Sequence, residues 1–270
     1  MAEVALALVL GVGAGAYALG VRRLWANARA APLVGLGPVV AFAASLAVLL
    51  VASSSPVDDA AARDLPIHMI QHLLLLAVVA PLLAMSEPVT CVLYALPDGL
   101  RRRVHPGVRR VVRSQTSRRG WLVWMVVAYC LSAATLVVWH VPALYDAAVR
   151  EPLVHALEHA SFVATAMLFW WMALGATRRS RRGFGVLAVF AATLPATALG
   201  IAMTLSTTPW YATYGRGAAA VRDQQVAGAL MWGLGGAALV VGAAALFASW
   251  LASMDVADSR RPRTRVAEPS

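Results

Sequence analysis

The sequence predicts an all-α fold: a polytopic membrane helix bundle with seven transmembrane helices, its N-terminus outside and its C-terminus cytoplasmic. Three observations predict it. Of 270 residues, 60% are hydrophobic and only 13% are charged, against about 25% charged in soluble domains. The mean hydropathy is +0.69. The apolar residues also gather into seven runs, each near the ~20 residues that a helix needs to cross a hydrocarbon core. Such hydrophobicity excludes disorder for most of the chain.

In order, the runs cover residues 3–20, 33–53, 66–86, 121–139, 153–174, 184–204 and 225–251. The first has Glu3 and no basic region before it, and Arg22 and Arg23 directly after it. That pattern reads as a retained helix rather than a cleaved leader. Gly11 and Gly15 within it make a GxxxG pair, read as close helix packing. Pro81 and Pro195 fall inside the third and sixth runs and are expected to kink them. Between runs three and four, residues 98–120 form a basic loop suited to an interfacial helix on anionic lipid. Residues 1–254 make one transmembrane domain, and 255–270 a polar, disordered cytoplasmic tail. Cys91 and Cys130 sit in hydrophobic context without a CxxC partner and read as buried free thiols.

The charge distribution gives the orientation. The net charge of +10 comes from 23 basic residues, all of them arginine. They lie in short clusters between apolar runs, as in cytoplasmic membrane loops, and no nucleic-acid partner is expected. The lack of lysine excludes Schiff-base chemistry, retinal binding included. Nineteen of the 23 arginines fall after run one, between runs three and four, between runs five and six, and after run seven. Those regions alternate, so the positive-inside rule puts all four in the cytoplasm. The opposite loops hold Arg63, Arg150, Arg216 and Arg222 with six acidic residues.

The histidines carry the functional signal. His105 lies in the basic loop and reads as solvated. Run three opens LPIHMIQHLLLL, with His68 and His72 at i and i+4. Run five opens EPLVHALEHASF, with His155 and His159 at the same spacing, and run four closes on His140. This spacing puts each pair on one helical face, about 5–6 Å apart. With the topology above, all five imidazoles collect at one depth near the outer surface, level with Asp223, Gln224 and Glu158. Ionisable groups in a membrane are costly and face the bundle interior. Five imidazoles at one level point to a metal or a haem.

Imidazole suits copper, zinc, iron and nickel. Thioethers such as Met69 and Met203 would favour Cu(I), although each also reads as packing. Two histidines on one helix about 13 residues apart, the spacing of stacked haems, are missing; one haem near the outer surface stays open. His155–Ala156–Leu157–Glu158–His159 reads H-x-x-E-H, the pattern of some zinc proteases. No third carboxylate ligand follows it, so Glu158 reads rather as a group that orients a histidine or balances metal charge. Neutral imidazoles bind metal, so affinity is expected to fall below about pH 6.5.

The strings HMIQHLLLLAVVAPLLAMSEP, WHVPALYD, HALEHASFVATAMLFWW and DQQVAGALMWGLGG occur in this order and in register with the runs. In them the chain resembles the multi-pass CtaG family of cytochrome c oxidase assembly proteins, over about residues 60–250. His68, Gln71 and His72 match one string; Trp139, His140, Pro142, Tyr145 and Asp146 the next; His155 and His159 the third; Asp223, Gln224, Gln225 and Met231 the last. The resemblance implies a multi-pass protein of the bacterial plasma membrane. It also implies a role in maturing haem–copper oxidase, oxidase subunits as partners, and copper delivery as the mechanism. An unrelated copper chaperone with one membrane anchor and a cysteine motif shares the name, and its chemistry does not transfer. The expected protein is therefore a copper-binding assembly factor and not an enzyme. Its ligands would be His68, His72, His140, His155 and His159. Gln71, Asp146, Glu158, Asp223 and Gln224 would hold them in place or ligate on occasion. A haem-binding redox protein and an intramembrane zinc hydrolase are the alternatives.

Overall fold

The structure is a computed structural model that describes residues 2–27, 30–115, 117–175 and 179–259. The described residues are helices joined by turns, with no strand among them. The helices are α1 (Ala2–Trp25), α2 (Leu36–Ala52), α3 (Ser55–Ala61), α4 (Leu65–Met85), α5 (Pro88–Ala95), α6 (Asp98–Ser114), α7 (Arg118–Trp139), α8 (Pro142–Arg150), α9 (Pro152–Leu174), α10 (Arg179–Leu205) and α11 (218–259). Each of the seven apolar runs lies largely within one of them. Among the described residues, five helices are long and apolar enough to cross a membrane: α4, α7, α9, α10 and α11. The α2–α3 pair, bent by 53° at Ser53 and Ser54, raises this to six if counted as one span.

Local chemistry starts the helices where the site needs them. Asp64 caps α4 by accepting from the Ile67 N–H at 3.0 Å, and Pro66 follows in the first turn. Pro142 and Pro152 open α8 and α9 in the same way. Two helices contain a π turn, α4 over Leu75–Val79 and α11 over Met231–Gly235. The first precedes Pro81, which lacks an N–H and crowds the carbonyl four residues back, so the widened turn is where the expected kink is absorbed. Pro195, by contrast, sits inside an unbroken α10.

The five long helices close a ring: α4 packs on α9, α9 on α7, α7 on α10, α10 on α11, and α11 back on α4. Small residues allow the tightest approach. A Cβ on Gly228 would fall 2.6 Å from the Gly200 carbonyl oxygen, and one on Gly200 would fall 2.8 Å from that of Gly228. The α2–α3 pair lies outside the ring on α4, and α1 packs chiefly on α5 through Tyr17, Val21, Leu24 and Cys91. The GxxxG expectation fails here: nothing lies within 4 Å of a Cβ on Gly11 or Gly15. The close contact of α1 is made by Gly20, whose missing Cβ admits the Cys91 backbone. Cys130, expected to be buried, is exposed on α7, and Cys91 alone is buried.

The outer surface of the ring is apolar. Val126, Val137, Leu187, Leu194, Leu234 and Val241 all point outward, an arrangement suited to lipid rather than water. On α6, Leu100, Val104, Val111 and Val112 are exposed and share one side of an otherwise arginine-rich helix. His105 is exposed there, as the sequence suggested. The helix α11 runs on to Ser259, past the expected domain boundary at 254; residues 260–270 of the expected tail lie outside the described residues.

Candidate metal centre

The N-terminal turns of α4 and α9 meet the C-terminal end of α7, and this junction brings the five histidines together. His68 and His72 come from α4, His155 and His159 from α9, and His140 from the C-cap of α7. Ring centroids are 4.4 Å apart for His68–His72, 4.0 Å for His155–His159 and 5.2 Å for His68–His155. His72 lies 5.5 Å from His159 and 6.2 Å from His140. All but His155, which is half-buried, are buried.

Glu158 stands at the centre, fully buried. Its two carboxylate oxygens lie 3.5 Å from His72 Nε2 and 3.8 Å from His68 Nε2, and neither has a hydrogen-bond partner. The same holds for Nε2 of His140, His155 and His159. Buried polar atoms normally find partners, and an isolated buried carboxylate costs several kcal/mol. Here the orphaned atoms belong to residues that converge. One donor atom each from His68, His155, Glu158 and His159 fall within 4.8 Å of one another. That is the chemistry of a cation site: neutral nitrogen donors and one carboxylate, desolvated and aimed inward.

Two of the imidazoles are held in the tautomer a metal needs. Tyr214 donates its O–H to the Ala61 carbonyl at 2.7 Å, so it accepts from His68 Nδ1–H at 2.8 Å. The lone pair of His68 is then on Nε2, which faces His72 Nε2 at 3.0 Å. His140 donates Nδ1–H to the Leu136 carbonyl at 2.8 Å, which frees its Nε2 in the same way. Such outer hydrogen bonds orient metal-binding histidines in general.

Of the five residues expected to hold the ligands in place, only Glu158 reaches the cluster. Gln71 turns away and donates to the Ala52 carbonyl at 2.6 Å and to Asp58 Oδ1 at 2.5 Å, tying α4 to α2 and α3. Asp146 accepts from Ala212 N, Thr213 N and Thr213 Oγ1 at 3.2, 3.0 and 2.8 Å. Gln224 accepts from Trp210 N at 2.6 Å and donates to Thr208 O at 3.2 Å. Those two side chains fasten the connection between α10 and α11 over the cluster, and Asp223 is exposed. The reason for the difference is side-chain direction: sharing a depth with the histidines does not mean sharing their face.

The sequence reading named Tyr145 within a matched string without a role, and it missed Tyr211 and Tyr214. Tyr145 is fully buried, stacks on Tyr211 at 4.0 Å and sits 5.0 Å from the His68 ring and 5.7 Å from His140. Tyr211 and Tyr214 arrive from a short loop without apolar periodicity. Their only advance signal was aromatic residues in a polar connection, TTPWYATYG.

The family model for cytochrome c oxidase caa3 assembly factors (Caa3_CtaG) matches residues 15–253, nearly the whole chain and all five histidines. The chain belongs to this family. Two curated relatives, the uncharacterised proteins Mb0105 of Mycobacterium bovis and MT0111 of Mycobacterium tuberculosis, are each 27% identical over 273 residues. Each match covers 90% of this chain but 37% of the relative, so the chain spans just over a third of their length. No solved structure matches.

Proposed function

We propose that this caa3 assembly factor binds copper in its histidine cluster and supplies it to cytochrome c oxidase during assembly. One observation carries the reading: His68, His155, Glu158 and His159 bring donor atoms within 4.8 Å of one another in a buried junction, and those of the last three have no hydrogen-bond partner. The family supplies the link to the oxidase, and imidazole donors with methionines nearby suit copper. In this reading the seven apolar helices each cross the bacterial plasma membrane, the arginine-rich loops are cytoplasmic, and the histidines lie near the outer face. Oxidase subunits maturing at that face are the partners. The protein moves an ion and turns over no substrate. The imidazoles stand 4.0–6.5 Å apart, close enough for several of them to reach one ion, which favours an ion over haem.

The test is metal analysis and an absorption spectrum of the protein purified in detergent, beside the His72→Ala/His159→Ala double variant. Copper bound by the wild type, lost in the variant, and no haem band support the proposal. Wild-type protein that takes up no copper from a copper-replete medium, or that carries haem, overturns it. A double variant that still matures oxidase at the wild-type level leaves a purely scaffolding role instead.

A further inference from the structure

Six potential ligand residues exceed the three or four protein ligands that a single copper or zinc ion usually takes. They are also not equivalent in where they face. His68, His155 and His159 line a cleft between α1, the α2–α3 bend and α9, whose walls also carry Asp58 and Asp59. His72 and His140 do not line that cleft. They line the separate space inside the five-helix ring, together with Met69 and Met231 and walls that are otherwise nearly all apolar. Both π turns border this inner space, through Leu76 and Ala77 on α4 and Met231 and Gly235 on α11.

Resting on the metal-binding reading above, we infer that the cluster is two metal positions in series rather than one. The outer position is formed by His68, His155 and His159 on the acid-bearing cleft, and the inner by His72 and His140 in the ring. Glu158 stands between them, with one oxygen toward His68 and the other toward His72. The donor atoms of the two positions approach to 3.0 Å at His68 Nε2 and His72 Nε2. An ion can therefore change position by exchanging one imidazole for the next while the carboxylate keeps its charge balanced; no electron has to move, and the proton that His72 Nε2 shares with His68 Nε2 passes to the free Nδ1 of His72 when Nε2 takes the ion. The chemistry of the two positions differs. Aspartates beside the outer one attract hydrated cations. The inner one offers two imidazoles among thioethers and apolar walls, a setting that favours Cu(I).

The experiment is a titration of the purified full chain with Cu(I) under anaerobic reducing conditions, counting bound copper after desalting. Three proteins are compared: wild type, His140→Ala, and His155→Ala/His159→Ala. The wild-type count needs no variant to fold. Two ions per wild-type chain are expected, with one ion retained by each variant. A single ion per wild-type chain, or loss of both ions in either variant that still elutes as a monodisperse helical protein, overturns the division but leaves metal binding standing. No bound copper in any of the three overturns the metal reading itself.

Discussion

At the residue scale the centre is decided by hydrogen atoms and by one buried charge. Tyr214 fixes the proton of His68 on Nδ1 and so directs the Nε2 lone pair inward. Tyr214→Phe keeps the ring and removes that control. Copper affinity should fall about 10- to 100-fold with unchanged helix content, measured by competition with a chromophoric chelator. Glu158 makes a prediction of two opposite signs. Its carboxylate has no hydrogen bond, so Glu158→Gln should raise the thermal midpoint of protein stripped of metal by a chelator. The same change should lower copper affinity about tenfold or more, because the charge that offsets the ion is gone. A lower thermal midpoint with unchanged copper affinity would show that Glu158 is there for packing. The residue scale is also where the sequence was most legible. The i and i+4 histidines needed only the helical repeat to be paired, whereas Tyr145 and Tyr214 had no repeat to announce them.

At the element scale, caps, π turns and one loop hold the histidine-bearing ends in place. Asp146 accepts three hydrogen bonds from Ala212 and Thr213, and through them holds the loop that carries Tyr211 and Tyr214. Asp146→Ala leaves those donors without partners and should cost about 1–3 kcal/mol, seen as a lower thermal midpoint in detergent. The α10–α11 contact brings backbone against backbone. Gly228→Ala would set a methyl group 2.6 Å from the Gly200 carbonyl and 2.8 Å from the Thr204 nitrogen. Backbone atoms cannot turn aside, so a loss of about 1–3 kcal/mol is expected. Gly11→Ala and Gly15→Ala, with nothing within 4 Å, should shift stability by no more than about 0.5 kcal/mol. Motif spacing alone would have ranked these three glycines the other way round. A GxxxG pair shows that a helix can be approached closely, and the partner helix decides whether it is.

For the whole molecule, the ring of α4, α7, α9, α10 and α11 encloses the inner space, and α1, α2 and α3 form the far wall of the cleft. The arginine pattern predicts that the loop joining α10 to α11 is outside and that α6 is cytoplasmic. In a cysteine-free background, Thr213→Cys should react with a membrane-impermeant thiol reagent added to intact cells. Gly107→Cys on α6 should react only after the membrane is opened. The reverse pattern would place the histidines on the cytoplasmic side and remove the outer-face delivery route.

The sequence by itself determined that the chain is helical and suited to lipid. It determined where the apolar runs lie, and that five histidines share one level. Those properties follow from composition and from the helical repeat, which act along the chain. Only the tertiary structure decided which polar residues at that level face one another. It brought Glu158 between His68 and His72, turned Gln71, Asp146 and Gln224 to other tasks, and divided the histidines between a cleft and an inner cavity. The physical reason is that a side chain's partners depend on the rotation of each helix about its own axis. That rotation is set by packing against neighbours distant in sequence, such as Gly228 against Gly200 and Gly20 against Cys91.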